Sequence, residues 1–315
     1  MVMTKRIRLA LDWTPNTIHT GFYVAAHKGW YDNAGLEVTF MSPDEDGYAT
    51  SAAKKVEEGS ADLAIAPSES GISFQTQANP IPLIAIAAVL AKDASAIVAL
   101  QQSGISQPAE IDHHTYASYQ AHFEDFMVRQ MVVNDGGTGD FNIIYPERLG
   151  IWNTLLTGAA DASWIFLPWE GVEARLKAID LKVFQLGDYG IPYGYSPVLL
   201  AHAEYIQAEQ KILKAFLHAT ARGYQFAKND PLEAARILLE AAPQLNSTDP
   251  SFVEQSQVFI SQYYLDEQGN WGLMQIKIWE QFTDWLLQTG ILNRHSDVAI
   301  EELDVFQLFT NELLE

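Results

Sequence analysis

The stretch DWTPNTIHTGFYVAAHKGWYDNAGLEV, residues 12–38, decides the fold. A strand over Ile7 to Asp12 leads into it and breaks at Thr14, Pro15 and Asn16. A helix restarts near Thr20 and stops at Lys28-Gly29, and Gly35-Leu36-Glu37-Val38 opens a second strand. A strand whose C-terminal end opens into a polar and aromatic loop over a helix N-terminus is where open α/β sheets bind small ligands. The loop carries Trp13, Asn16, Thr17, His19 and Thr20: one flat apolar face with several hydrogen-bonding tips. That set suits a small planar heteroaromatic better than a phosphate or a lipid.

The same rhythm continues outward. Strands are expected over Glu37 to Met41, Asp62 to Ala66 and Ile81 to Leu90, with helices over Tyr48 to Glu58 and Glu69 to Ala78. A second alternating unit follows. Its strands are Ile97 to Leu100, Thr115 to Ser118, Phe141 to Tyr145, Ala162 to Phe166 and Leu181 to Phe184. Helices are expected between them from about His122, Gly150 and Pro168. Short strands separated by helices imply parallel-dominated sheets. From about Glu209 the pattern turns helical, with amphipathic segments over 210–228, 232–241, 249–264 and 274–288. The expected architecture is α/β with two lobes. Lobe I spans residues 1–92 and 195–315 and includes the C-terminal helices; lobe II spans 93–194. Two lobes joined by two crossover segments form a hinged clamp, with the cleft as the expected site.

Composition excludes several functions. The chain has 315 residues, 40 acidic against 19 basic, for a net charge of −21. Phosphate backbones and anionic membranes repel such a surface, so nucleic acid is not an expected partner. Cysteine is absent, which removes disulfides, thiolate metal sites and cysteine nucleophiles together. The basic start MVMTKRIRLALDW has only a short apolar run, which belongs to the first strand and does not read as a signal peptide. Ile81 to Leu90 is too short to span a bilayer. The expected compartment is cytoplasmic if the N-terminus is native, and periplasmic or extracytoplasmic if a leader has been removed.

With these segments in view, the chain resembles the type II periplasmic binding fold. The similar branch holds the fungal thiamine-pyrimidine synthases and the formylaminopyrimidine-binding proteins of ABC transporters. Residues 12–38 carry the most specific likeness; EEGSADLAI, GAADASWIFLPWEG and YGIPYGYSPVLLAHAEYI are spaced as in the wider family, which also binds sulfonates and nitrate. The resemblance implies a receptor for a thiamine-related pyrimidine of formylaminopyrimidine or hydroxymethylpyrimidine type, with an ABC transporter permease as partner. Two departures bear on the alternative, a divergent synthase. Where the synthases carry an iron-binding cysteine motif, this chain has Ile191-Pro192-Tyr193-Gly194-Tyr195, and where they carry a pyridoxal phosphate lysine it has Ala66. No cofactor, no metal and no catalytic residue are therefore expected.

The candidate ligand contacts each carry a bland alternative. Trp13 stacks on a pyrimidine or fills the core; such stacking is worth roughly 0.5–1.5 kcal/mol beyond area burial. Asn16 bonds a ring nitrogen and an amine together, or forms the turn after proline. His19 matches the synthase histidine and reaches a ligand carbonyl, or satisfies backbone near the helix start. Ser68 and Glu69 open a helix after a short strand, as ligand contacts or as a plain cap. Tyr119, beside Gln120, occupies the equivalent point in the second unit. Trp169 and Glu170 lie at another strand end. Glu170 is the expected polar anchor, because a carboxylate accepts from an exocyclic amine and a protonated ring nitrogen; its alternative is an acid in a helix first turn. Tyr189, Tyr193 and Tyr195 sit at the second crossing and wall the cleft or support it.

Overall fold

The computed structural model describes residues 4–146, 150–292 and 300–315. They group into two compact units, one of Met1–Asp93, Gly194–Thr283 and Leu292–Glu315, the other of Ala94–Tyr193 and Asp284–Ile291.

In the first unit, β1 (Lys5–Ala10) is followed by α1 (Thr20–His27), α2 (Trp30–Asn33) and β2 (Leu36–Met41). Then come α3 (Ala52–Glu57), β3 (Leu63–Ala66), α4 (Ser68–Thr76) and β4 (Leu83–Ala88). The second unit holds β5 (Ser95–Leu100), β6 (Thr115–Ala117), α5 (Glu124–Asn134) and β7 (Asn142–Ile144). It continues through α6 (Ile151–Leu156), β8 (Ala162–Phe166), α7 (Val172–Leu176) and β9 (Leu181–Phe184). The chain then re-enters the first unit as β10 (Val198–His202) and α8 (Ala203–Ala208). It closes with α9 (Gln210–Asn229), α10 (Pro231–Ala241), α11 (Pro250–Ile260) and α12 (Ile276–Thr289).

Each unit is built on a five-stranded sheet, in the orders β2-β1-β3-β10-β4 and β7-β6-β8-β5-β9. β1 pairs parallel with β2 and β3, and β6 pairs parallel with β7 and β8. β10 runs antiparallel to β3 and β4, and β5 runs antiparallel to β8 and β9. Four strands of each sheet thus share a direction, and the reversed strand is the first one after the chain enters, or re-enters, that unit. The sequence reading did not assign β10, because Val198-Leu199-Leu200-Ala201 is a short apolar run without alternation. Its four residues are completely buried between β3 and β4.

The helix expected from Tyr48 begins only at Ala52. Gly47 and Tyr48 both take left-handed backbone angles, and the Ser51 hydroxyl caps α3 by accepting from the Lys54 N–H at 3.3 Å. The helix expected from Pro168 starts as a single π turn over Leu167–Gly171 before α7. No helix among the described residues is long and apolar enough to cross a membrane.

The long helix α9 braces the site-bearing segment. It buries Leu213, Phe216, Leu217, Thr220, Tyr224 and Ala227, the spacing of one helical face. It crosses α1 where both helices carry glycine: a Cβ on Gly223 would run into the Gly21 carbonyl, and one on Gly21 into the Tyr224 ring. The Tyr224 ring stacks on Trp271 at 4.9 Å and meets Phe22 edge-on at 5.3 Å. Its hydroxyl donates to the Ile18 carbonyl at 2.7 Å, which fixes the turn ahead of α1.

Candidate functional site

Two strand ends of the first unit carry expected contacts, and the β1 end is the most elaborated. Asn16 caps the 3-10 turn Thr17–His19, its Oδ1 accepting from the Ile18 N–H at 2.9 Å and its Nδ2 donating to the Thr14 carbonyl at 3.2 Å. The Asn16 N–H in turn donates to His19 Nδ1 at 3.1 Å. Because Nδ1 accepts, the neutral imidazole carries its proton on Nε2, which lies 2.8 Å from Asp12 Oδ1. His19 is fully buried, and both ring nitrogens are bonded within the protein. The ligand contact expected of His19 therefore gives way to a supporting role: it orients the Asp12 carboxylate. Asn16 is 3% exposed and gives way likewise to its cap.

Thr17 and Thr20 are also buried rather than open tips. The Thr17 hydroxyl pairs with the Ser256 hydroxyl at 2.7 Å, and Thr20 Oγ1 donates to Gln257 Oε1 at 2.6 Å, both on α11. The Tyr264 hydroxyl donates to the Thr17 carbonyl at 2.5 Å. Polar type alone could not reveal this, since the partners lie more than two hundred residues away in sequence. Beyond the anchored turn, Trp13 is half-buried and its ring meets Tyr48 at 5.0 Å, tilted by 59°. The Tyr48 hydroxyl bonds Thr14, whose N–H reaches it at 3.3 Å. The sequence reading passed over Asp12, Thr14 and Tyr48. A carboxylate at the last residue of a strand, followed by Trp13, was the available signal.

At the β3 end, Ser68 and Glu69 form the first turn of α4 and are 0% and 2% exposed. The Ser68 N–H donates to the Tyr195 carbonyl at 2.9 Å, while the buried Ser68 Oγ has no hydrogen-bond partner. Gly194 packs over that hydroxyl: a Cβ there would come within 2.6 Å of Ser68 Oγ and 3.0 Å of the Phe282 ring. Tyr195, expected to wall a cleft, is 2% exposed. Its hydroxyl accepts from the Gln275 N–H at 2.8 Å, and its ring lies 6.3 Å from Trp279. Tyr195 supports the α4 start from the core. Ala66 ends β3 with no amine to hold pyridoxal phosphate, so the residues present do not fit that cofactor.

In the second unit, Tyr119 and Gln120 follow β6, with Gln120 in the left-handed region. Glu170 follows β8, the strand paired with β6, and its Oε2 accepts from the Phe166 N–H at 2.9 Å. Burial raises the Glu170 carboxyl to about 7, against the pull of the N–H groups of Glu170 itself and Phe166. Burial, then the charges of Glu170 and Glu124, hold the Tyr119 phenol well above its ordinary value. Trp169 sits in the same π turn as Glu170, and Tyr193 meets Trp164 at 5.3 Å. Tyr189 is placed elsewhere. Its carbonyl accepts from Asn134 at the last residue of α5, and its ring packs on Phe184. Tyr119 precedes the other end of that eleven-residue helix, about 16 Å away along its axis. Among the described residues no group of three histidine, aspartate or glutamate side chains is placed to hold a metal ion.

The family model described as NMT1/THI5 like matches residues 16–234. The formylaminopyrimidine-binding protein of Halalkalibacterium halodurans is 24% identical over 89% of this chain and 84% of its own length. The 4-amino-5-hydroxymethyl-2-methylpyrimidine phosphate synthase of Legionella pneumophila is 20% identical over 99% of this chain and 93% of its own. Among solved structures, the periplasmic nitrate-binding protein NrtA from Synechocystis PCC 6803 superposes with a TM-score of 0.71 at 12% identity, covering 99% of this chain and 87% of that one. With the sheet orders above, the fold is that of type II periplasmic binding proteins.

Proposed function

The chain belongs to the NMT1/THI5-like family, and from that premise we propose that it is a solute-binding protein for a thiamine-related pyrimidine. The ligand is of formylaminopyrimidine or hydroxymethylpyrimidine type, and the liganded form is presented to an ABC transporter permease for thiamine precursor uptake or salvage. One observation carries the reading: the Asp12 carboxylate is held by a buried neutral His19, and the next residue, Trp13, packs its ring on Tyr48. An oriented carboxylate accepts from an aminopyrimidine amine while an aromatic ring covers the heterocycle. In the second unit, Glu170 is a separate candidate acceptor, its carboxyl pushed up to about 7 by burial. The formylaminopyrimidine-binding relative supports this ligand class.

The synthase reading draws on the Legionella relative, which aligns over 99% of the chain. Against it stand Ala66 at the β3 end and the absence of any cysteine. Calorimetric titration separates the two. Protein unfolded and refolded to strip carried-over ligand is titrated with formylaminopyrimidine, hydroxymethylpyrimidine and pyridoxal phosphate. One-to-one binding of a pyrimidine without a pyridoxal phosphate signal is expected. Saturable pyridoxal phosphate binding would favour the synthase, and silence from both pyrimidines would refute the ligand assignment.

A further inference from the structure

The turn that brings His19 to Asp12 is held from behind by two buried phenols. The Tyr264 hydroxyl donates to the Thr17 carbonyl at 2.5 Å and the Tyr224 hydroxyl to the Ile18 carbonyl at 2.7 Å, so two tyrosines take consecutive carbonyls of one turn. Both tyrosines are fully buried, and their rings meet edge-on at 4.9 Å. The Tyr264 hydroxyl has a fixed direction. Gln257 Nε2 donates to its oxygen at 3.0 Å, and Gln257 Oε1 accepts from Thr20 Oγ1 at 2.6 Å. Thr20, Gln257, Tyr264 and Thr17 thus form a directed chain that leaves the turn at Thr20, passes through α11 and returns at Thr17. All four residues are fully buried, so bulk water does not make up a lost bond. All of them, with Asp12, Trp13 and His19, belong to the first unit.

The geometry of this turn decides what Asp12 presents. The closed turn brings the Asn16 N–H to His19 Nδ1 at 3.1 Å, and a donor at Nδ1 puts the imidazole proton on Nε2, 2.8 Å from Asp12 Oδ1. That bond uses Oδ1 and leaves Oδ2 to a ligand, and a carboxylate oxygen only accepts. We propose that Tyr224 and Tyr264 are positioning residues that hold the His19 tautomer, and so make the site select a heterocycle that presents an amine to Asp12 over one that presents a carbonyl. The idea rests on the pyrimidine-receptor reading and names the group that the site requires. A carbonyl in place of the exocyclic amine sets lone pairs against lone pairs and leaves Oδ2 unpaired. In a loosened turn the imidazole proton is no longer confined to Nε2. Asp12 then loses the donor that orients it, the amine loses affinity and the gap between the two ligands narrows.

The test compares the wild type with Tyr264→Phe, Tyr224→Phe and, as a control, Tyr31→Phe. Each substitution removes one buried hydroxyl and keeps the ring. The Tyr31 hydroxyl pairs with Thr220 of α9 at 2.7 Å rather than with the turn. Circular dichroism and urea melts verify folding, and two turn variants keep the test decisive if one of them does not fold. The first readout is the His19 tautomer, from its ring nitrogen resonances above neutral pH, and it needs no ligand. The wild type and Tyr31→Phe are expected to show the Nε2–H form alone, and Tyr264→Phe and Tyr224→Phe a mixture of both tautomers. The second readout is calorimetric affinity for hydroxymethylpyrimidine against its analogue with a carbonyl in place of the exocyclic amine. The wild type and Tyr31→Phe are expected to prefer the amine by about a hundredfold or more, and the turn variants to narrow that preference by at least about tenfold. An Nδ1–H histidine in the wild type, a wild-type tautomer or an unchanged preference in folded turn variants, or the same changes in Tyr31→Phe would overturn the proposal. If the wild type binds neither compound, the receptor reading fails and the selectivity with it, while the tautomer readout still decides whether the phenols position His19.

Discussion

His19 Nε2 lies 2.8 Å from Asp12 Oδ1, and the same imidazole accepts the Asn16 N–H at 3.1 Å, so a buried neutral histidine ties a strand-end carboxylate to the turn beyond it. The two partners are not equivalent. The histidine is fully buried, whereas the Asp12 side chain is 24% exposed. His19→Ala leaves the Asn16 N–H and one face of the carboxylate without a partner. It is expected to cost about 2–4 kcal/mol in urea unfolding. Asp12→Asn keeps an acceptor for Nε2 and is expected to cost about 1 kcal/mol or less, while weakening pyrimidine binding by about tenfold or more. A larger stability loss for Asp12→Asn than for His19→Ala would contradict the supporting role of the histidine.

Glu170→Gln is expected to weaken pyrimidine binding by about 1–3 kcal/mol, the range of a hydrogen bond to a charged group. Unchanged calorimetric affinity in a folded variant would remove Glu170 from the site.

The same residue sets a pH dependence. Folded Glu170 keeps its proton up to about 7, whereas the unfolded chain releases it near 4.5. Between those values the native state binds more protons than the unfolded state, so the contribution of Glu170 to stability falls as pH rises and levels off above about 7. Glu170 as a residue is only half-buried, so the loss is of order 1–2 kcal/mol rather than the full shift. Urea unfolding at pH 5 and pH 8 should show Glu170→Gln gaining on the wild type at the higher pH. A constant difference between the two proteins would disprove this assignment.

Gly223→Ala drives a methyl into the Gly21 carbonyl at the crossing of α1 and α9, both of them helical backbone. A loss of about 3 kcal/mol or more is expected, at the upper end of overpacking costs. Gly187→Ala meets nothing within 4 Å and should fall within about 0.5 kcal/mol of the wild type. Equal melting behaviour of the two variants would mean that the close crossing is not required.

Trp13 tests the aromatic half of the site. Trp13→Ala removes the ring that packs on Tyr48 and, with it, stacking of roughly 0.5–1.5 kcal/mol plus the buried area of the heterocycle. Pyrimidine affinity should drop at least about tenfold. Intrinsic fluorescence of the wild type should respond to ligand, and a full ligand response in Trp13→Ala would assign the signal to another tryptophan.

Much of the fold was legible because local pattern governs it. The β1 strand, the break at Pro15 and the restart at Thr20 follow from residue type and punctuation, and α9 follows from its spacing. The rest depends on partners distant in sequence. β10 is a strand only because β3 and β4 flank it. Asp284–Ile291 continues the helix α12 yet groups with the second unit, where Trp285 meets Phe126 at 5.9 Å. An amphipathic pattern cannot say which unit receives which turn. Among site candidates, residue type drew attention to the β1 end, but it could not tell an open tip from one bonded to α11. Thr17, Thr20 and Tyr195 look like contacts in sequence and are supports in the fold, whereas Asp12 reads as the last residue of a strand.

The central claim is that Asp12 and Trp13 hold an aminopyrimidine, and the most direct test is a crystal structure of the refolded protein with formylaminopyrimidine bound. The account predicts the ring against Trp13, with its exocyclic amine within hydrogen-bond distance of an Asp12 carboxylate oxygen and His19 still fully buried. A pyrimidine bound away from the β1 end, or one held there with Asp12 turned from it, would contradict the account.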